Sequence, residues 1–241
     1  MNYNEQKIEV SDCQQRVGIF KKVPASELSL EDDFLNYTPK TMGERRFLKE
    51  VWNVIEAGVS DFWRPVYDPS IDNNGHICYA LGNMPAVGKS YEWWEENAKN
   101  YAPQCGSRLG TKLEYIAFLA VLIKELVASG KPVYWAWNQV CNCSTELGYY
   151  WNFECSFGRS TSGYEPTGSR EICDWCDLGN THKFLEEDKE NGGVWIAGGL
   201  NDYHCEFCPG PLASLYRYGR KWFENNNTCC GWLVFDSCPE C

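Results

Sequence analysis

The chain lacks long hydrophobic runs and carries few positive charges. No run of about 18 apolar residues occurs, so we expect no insertion into a membrane. The 22 Lys and Arg residues are outnumbered by 33 Asp and Glu, which gives a net charge of −11. Because phosphate binding depends on Lys and Arg, this balance argues against a nucleic-acid partner. The first residues, MNYNEQKIEVSDC, have neither a basic nor an apolar signal region, so we expect no signal peptide.

Histidine is also scarce, and no catalytic pattern is evident. The three histidines, His76, His182 and His204, lack the spacing of a metal site or a catalytic triad. Residues 88–90, GKS, resemble the end of a phosphate loop, but the upstream glycine is missing, so we interpret them as a turn. We therefore expect no catalytic residue among these groups.

Cysteine, in contrast, is abundant, with 14 in 241 residues. Two CxxC pairs together are able to form a four-thiolate zinc site. The alternative is thiols that are partly buried in a reducing compartment, where cysteine behaves as a small hydrophobe. We expect no cofactor, and zinc bound through the CxxC pairs stays the alternative. The three pairs are Cys173/Cys176, Cys205/Cys208 and Cys238/Cys241.

Apolar periodicity predicts several helices. Residues 43–57 carry Phe47, Val51 and Ile55 on one stripe, which is typical of an amphipathic helix. In the helix predicted over residues 111–129, Thr111 and Glu114 have the spacing of a capping box. Further helices are predicted at residues 91–101, from Pro132 to about Cys143, and briefly after Ser169.

Two apolar strand patterns, at residues 194–197 and 232–235, bracket an irregular segment, residues 200–230. This segment mixes Asn, Tyr, Cys, Phe and Ser with neither helical nor strand periodicity. A flexible linker would not carry so many aromatic residues. A binding surface would, because rigid aromatics supply contact area and small polar residues supply adaptable hydrogen bonds.

The order of these patterns suggests two parts of the chain. Residues 61–241 are predicted to form one α+β ligand-binding domain that contains the irregular segment. Residues 1–60, which are mostly polar and contain one amphipathic helix, are predicted to be an N-terminal segment for attachment or oligomerisation.

Several motifs in order resemble the C-type-lectin-like fold in its formylglycine-generating-enzyme (sulfatase-modifying-factor) branch, over about residues 60–241. Residues 108–115, RLGTKLEY, resemble its arginine-leucine-x-threonine-x-x-glutamate-aromatic motif, with Gly110 where proline is usual. Residues 175–180, WCDLGN, resemble its aspartate-glycine-asparagine turn, and residues 194–199 its glycine-glycine strand. The resemblance implies helices flanking small antiparallel sheets with long irregular loops. The expected scaffold residues are Arg108, Thr111, Glu114, Asp177, Gly179, Asn180, Trp195 and Trp232.

The whole chain is also similar to variable proteins of diversity-generating retroelements in phages and prophages, which use this fold branch. In those proteins, randomised asparagine-type codons never produce Lys, Glu, Gln, Met or Trp. The tracts 201–205, 207–208, 216–220 and 225–230 contain none of these five residue types. The resemblance implies a hypervariable ligand-binding surface, and the alternative is an ordinary lectin-like loop. The expected surface residues are Asn201, Asp202, Tyr203, His204, Cys205, Phe207, Cys208, Tyr216, Tyr218, Arg220, Phe223, Asn225, Asn226, Asn227, Cys229 and Cys230.

This resemblance also sets expectations for partners and location. It implies a protein or glycan ligand of unknown identity, assembly as a homo-oligomer or a phage tail component, and a place in the virion or at the host cell; otherwise the chain is expected to be cytoplasmic.

A rival hypothesis is a copper-dependent oxidase of the formylglycine-generating type. Those enzymes bind copper through two cysteines in the same late loop, and Cys205 and Cys208 lie in the corresponding region. These two are closer together than the enzymes' pair, and Pro209 follows directly. We therefore expect binding rather than catalysis.

Overall fold

Four α-helices and thirteen short strands make up the described part of this computed structural model. The structure describes residues 8–11, 17–66, 68–79, 86, 88–141, 149–152, 163–166, 182–190, 192–197, 215–218 and 229–237. The helices are α1 (Met42–Ala57), α2 (Tyr91–Tyr101), α3 (Lys112–Ala128) and α4 (Val133–Cys141). The strands are β1 (Ile8–Ser11), β2 (Val17–Val23), β3 (Phe62–Pro65), β4 (Ser70–Ile71), β5 (Ile77–Cys78), β6 (Arg108–Leu109), β7 (Tyr149–Asn152), β8 (Gly163–Pro166), β9 (His182–Glu187), β10 (Val194–Ala197), β11 (Tyr216–Tyr218), β12 (Cys229–Gly231) and β13 (Leu233–Val234). The predicted α+β class is confirmed at this level.

The predicted helices α1 to α4 are confirmed, and the reasons are local. At the start of α3, Thr111 accepts a hydrogen bond from the Glu114 amide and the Glu114 carboxylate accepts one from the Thr111 amide, so the predicted capping box is present. A second capping box, formed by Thr41 and Glu44, begins α1. No helix in the described ranges is both long and apolar enough to cross a membrane. The helix predicted after Ser169 lies outside the described residues.

The largest sheet has four strands in the order β11-β10-β9-β12. Strand β10 is antiparallel to both β9 and β11, whereas β12 runs parallel to β9. Adjacent residues of β9 pack into different hydrophobic clusters, Phe184 into one and Leu185 into the other. Because successive side chains of a strand point to opposite faces, the sheet is covered on both faces, and its position is fixed by two cores.

The last predicted strand, residues 232–235, is observed as β13 over Leu233–Val234, and Trp232 separates it from β12. Strand β12 ends at Gly231, which lies beside Phe184 in β9, and β13 begins at Leu233, which pairs with Leu109 in β6. Trp232 lies between the two strands. Its amide donates to the Phe184 carbonyl at 3.0 Å, and its carbonyl accepts from the Gly110 amide at 2.9 Å. Trp232 therefore joins two sheets through its backbone.

Elements on both sides of residue 60 pack together. Strand β2 pairs with β3 across that boundary, and α1 packs against α3. The side chains of Phe20, Val23 and Phe47 are fully buried within the same two clusters as the later residues. Residues 20–57 thus belong to the domain, because their apolar side chains complete its cores. Residues 1–7 and 12–16 lie outside the described residues.

We predict that Gly110→Ala destabilises the protein. The added Cβ would meet the Trp232 indole ring and would approach Val234 Cγ1 to 2.9 Å, closer than non-bonded carbon atoms normally come. Overpacking of this kind costs about 1–3 kcal/mol of unfolding free energy, which urea denaturation would measure. The control is Gly43→Ala in the first turn of α1, where alanine favours the helix. Equal stability of Gly110→Ala and the parent would contradict the close packing.

Candidate functional site

Four strand ends meet at one end of the largest sheet. Ala197, the last residue of β10, lies beside Lys183 near the start of β9, and Lys183 lies beside Cys230 in β12. Across β10, Tyr216 at the start of β11 pairs with Ile196. We call this the loop end of the sheet, defined by residues 182–183, 197, 216 and 229–230. The chain leaves β10 here, and both β11 and β12 begin here.

Helices α1 and α3 hold the strands that reach the loop end. Arg46 of α1 donates from Nη2 to the Leu215 carbonyl at 3.0 Å, directly before β11. Lys112 of α3 lies 4.8 Å from the ring centroid of Trp195 in β10, within the range of a cation–π contact. The Lys112 ammonium also contacts the Glu50 carboxylate of α1 at 2.6 Å. These contacts tie β10 and the start of β11 to two helices that are themselves anchored in the core.

A buried ion pair lies beneath the loop end. The Lys183 ammonium contacts Asp68 Oδ1 at 2.9 Å, and both side chains are only 4% exposed. The Cys230 thiol lies 3.9 Å from the same carboxylate oxygen. Lys183 and Cys230 are neighbours in the parallel β9–β12 pair, so Asp68 reaches both strands at the place where they begin.

Further polar groups surround this ion pair. Arg64 of β3 is 1% exposed, and its guanidinium carbon lies 4.1 Å from the Phe118 ring centroid. Burial raises the pKa of the Tyr79 hydroxyl well above its usual range; Tyr101, Cys230 and Asp68 raise it further, and Arg64 opposes them. Tyr79 therefore stays protonated at every physiological pH.

We call Arg64, Asp68, Tyr79, Lys183 and Cys230 the polar floor. All five side chains are buried, so solvent and large ligands do not reach them directly. Among the described residues, the hydroxyls of Tyr79 and Ser70 have no hydrogen-bond partner. The arrangement is suited to fixing the strand starts, because charged groups that are paired in a dry environment tolerate little displacement.

The sequence patterns did not predict that Arg64, Asp68 and Lys183 belong to one site. The available signal was a charged residue inside an apolar strand, as in Phe62–Pro65, FWRP, and in the start of β9, HKFL. Lys and Arg are almost never fully buried unless they are paired, so a charge in a buried strand implies a partner. The partner itself, Asp68, is 115 positions before Lys183 (183 − 68) and could not be identified from local pattern.

The structure describes only a few of the predicted surface residues. Tyr216 and Tyr218 lie in β11, opposite Ile196 and Val194 of β10. The following residues lie outside the described part of the chain: Asn201, Asp202, Tyr203, His204, Cys205, Phe207, Cys208, Arg220, Phe223, Asn225, Asn226 and Asn227.

Cys229 and Cys230 require a correction. Both were predicted to belong to the exposed binding surface, yet both are fully buried in β12 and pack into the cluster that contains Phe184. Cysteine is one of the residue types that randomisation produces, but residue type alone does not determine burial. The register with β9 places both side chains in the core.

The predicted scaffold residues are placed as follows. Arg108 donates to both carboxylate oxygens of Glu114, at 2.8 and 2.7 Å, and to Asp236 at 2.9 Å. The hydrogen bonds that Arg108 donates to Glu114 raise the pKa of Arg108 above its usual value. Trp232 is buried and Trp195 is half-buried. Asp177, Gly179 and Asn180 lie outside the described residues.

The zinc hypothesis stays a prediction. No group of three or more His, Cys, Asp and Glu side chains in the described ranges could hold a metal ion. The cysteines of the three CxxC pairs lie outside those ranges. They include Cys205 and Cys208, the candidate copper ligands.

No protein-family model, curated protein or solved structure matches this chain. The site must therefore be interpreted from its own geometry.

We predict that Lys183→Met destabilises the protein by about 3–5 kcal/mol, because it removes the ammonium that pairs with a buried carboxylate. The double variant Asp68→Leu/Lys183→Met removes both charges and is expected to recover most of this loss, as apolar replacement of a buried pair is often neutral. Urea unfolding of the parent, the single variant and the double variant measures both steps. A single variant as stable as the parent would contradict the role of the ion pair.

Proposed function

We propose that the chain is a ligand-binding protein that displays a variable surface at the loop end of its largest sheet. The observation that carries this proposal is the register of β9 to β12, which brings the end of β10 and the starts of β11 and β12 to one place. Residues 198–214 connect β10 to β11 there, and residues 219–228 lead into β12. Both segments carry the residues that the sequence marks as a binding surface.

The scaffold supports such a display. Strand positions that are fixed by buried side chains and by helices allow the connecting segments to change without loss of the fold. Here the strands are held by the contacts of Arg46, of Lys112 and of the Asp68–Lys183 pair. Tyr and Phe side chains in these segments would act as contact anchors, because they lose little conformational entropy on binding.

We assign the fold to the C-type-lectin-like class as part of this proposal. In its support, helices flank several small sheets that are mostly antiparallel. The Arg108–Glu114 pair and the Thr111 cap give the resembling motif at residues 108–115 a structural role. Gly110, which replaces the usual proline, uses its amide to bond Trp232, and proline has no amide hydrogen to donate.

The proposal includes diversification by a retroelement and a protein or glycan as the ligand, with the chain carried on a phage tail or at the host cell. It assigns no catalytic residue and no cofactor. Several copies in one assembly would add avidity to weak single contacts.

We expect the DNA beside the coding sequence to contain a near-copy of the 3′ coding region and a reverse-transcriptase gene. Sequencing the locus tests this directly. Mismatches between the two copies should fall at adenines of the template, within codons 201–227 and outside those of Cys229 and Cys230. A locus without the near-copy would exclude retroelement diversification and leave an ordinary lectin-like loop.

A matched pair of variants tests where the displayed surface ends. Cys230→Tyr is expected to lower Tm by about 3–10 °C, because it inserts a large ring into a filled core. Cys205→Tyr, the same change within the proposed surface, is expected to shift Tm by no more than about 2 °C. Thermal unfolding monitored by circular dichroism compares the two. Equal effects would contradict the proposed boundary.

Detection of an oxidase activity would refute this binding proposal. Oxygen consumption in the presence of copper and a cysteine-containing peptide, abolished by Cys205→Ser and by Cys208→Ser, would identify the chain as an enzyme. The binding proposal expects no oxygen uptake above that of the copper and peptide alone.

A further inference from the structure

One face of α1 combines exposed apolar side chains with positive charge. Met42, Arg45, Lys49 and Trp52 recur at spacings of three and four residues, so they form one stripe along the helix. Met42 is 84% and Trp52 is 51% exposed, and Arg45 and Lys49 are also exposed. We call these four residues the α1 stripe. A basic, apolar stripe is unusual on a chain whose net charge is −11.

The charges of the α1 stripe are available to a partner. Among the described residues, Arg45 donates to the backbone carbonyls of Thr41 and Lys40, which carry no formal charge. Within the described part of the chain, neither Arg45 nor Lys49 takes part in an ion pair. The helix itself is rigidly placed, because its opposite face buries Phe47, Val51 and Val54.

A second surface has the complementary composition. Leu30 is 65% exposed in a turn, and Glu31 and Asp33 beside it are exposed as well. The turn is held by Asp32, whose carboxylate accepts from the Ser29 amide at 3.0 Å and contacts the Lys124 ammonium at 2.7 Å. We call Leu30, Glu31 and Asp33 the acidic turn.

We propose that the α1 stripe of one copy of this chain binds the acidic turn of a second copy. Of the four large hydrophobic side chains that are exposed among the described residues, three lie on these two surfaces. The α1 stripe thus combines exposed apolar side chains with positive charge, and the acidic turn combines one with negative charge, so the two surfaces are complementary.

The small size of the acidic turn favours a second copy over other acidic partners. A nucleic acid or an anionic membrane presents negative charge over an area much wider than the four residues of the α1 stripe, so it also meets the like charge of the rest of this chain. The acidic turn instead presents two carboxylates next to one leucine, in a form already ordered by Asp32. Repulsion between distant charges is screened beyond about 8 Å at physiological salt, whereas contacts at the interface are not.

The geometry of this contact determines the kind of assembly. Because the two surfaces differ, each copy contributes its α1 stripe to one contact and its acidic turn to another. A two-fold dimer forms the contact twice, and a ring forms it once between each pair of neighbours. Either assembly would present several copies of the loop end together. The inference does not depend on what the loop end binds.

Charge reversal in two variants tests the proposal. The mass of the parent, measured by light scattering from about 1 to 100 μM in physiological salt, is expected to exceed that of one chain. Arg45→Glu/Lys49→Glu and Glu31→Lys/Asp33→Lys each weaken self-association by at least about tenfold. An equimolar mixture of the two variants is expected to associate again, since each reversed surface then meets an opposite charge. The matched control, Lys99→Glu/Lys189→Glu, reverses two exposed charges outside both surfaces and is expected to behave as the parent.

Several outcomes would overturn the proposal. They are a parent that stays monomeric at 100 μM, variants that keep the parent's mass, and a mixture that stays dissociated. Binding of the monomeric parent to vesicles of anionic lipid, lost in Arg45→Glu/Lys49→Glu, would show that the stripe serves a membrane instead. If a charge-reversed variant fails to fold by circular dichroism, Met42→Ser/Trp52→Ser, which changes no charge, tests the same surface.

Discussion

The structure depends on a change of sheet at a single residue. Through its amide and carbonyl, Trp232 bonds to Phe184 in the largest sheet and to Gly110 at the start of α3. Its ring packs against Tyr115 and Phe118 of α3, with centroids 5.2 and 6.2 Å away. One residue therefore fixes the relative positions of the largest sheet, the β6–β13 pair and the most buried helix. The contacts that position the loop end, such as that between Lys112 and Trp195, require these elements to keep those positions.

The buried charges add specificity to that packing. A fully apolar interior would tolerate small shifts of one strand against another, whereas the Asp68–Lys183 contact is satisfied only when β9 and the segment after β3 keep their relative positions. Arg64, held against the Phe118 ring, restricts the same region from the side of α3. The interior under the loop end is thus ordered by electrostatics as well as by volume. This rigidity would let the connecting segments vary while their attachment points stay in place.

The sequence predicted what depends on neighbouring residues and missed what depends on distant ones. Helix α3 was predicted to within one residue at each end, because Thr111, Glu114 and Gly130 mark its ends locally. The pairing of β2 with β3 was missed, since a short strand carries no local sign of its partner, and so was the packing of residues 20–57 against the later part of the chain. Cys229 and Cys230 were assigned by residue type to an exposed surface, but their burial follows from a parallel register with β9 that no local pattern encodes. Most of the candidate surface lies outside the described residues and stays a prediction.

The contacts that close the cores join residues far apart in the chain, and this has a consequence for synthesis. Arg46 bonds Leu215, 169 positions later, and Cys230 reaches back 162 positions to Asp68. Contacts of such long range slow folding, because the entropy of closing large loops is lost before the contacts form. While the ribosome is still translating the codons before 229, α3 is complete but its packing partners Trp232 and Val234 do not yet exist. The part of this apolar helix that packs against Trp232 and Val234 therefore stays uncovered until the end of the domain is translated, and correct folding in the cell depends on how that part is protected from aggregation.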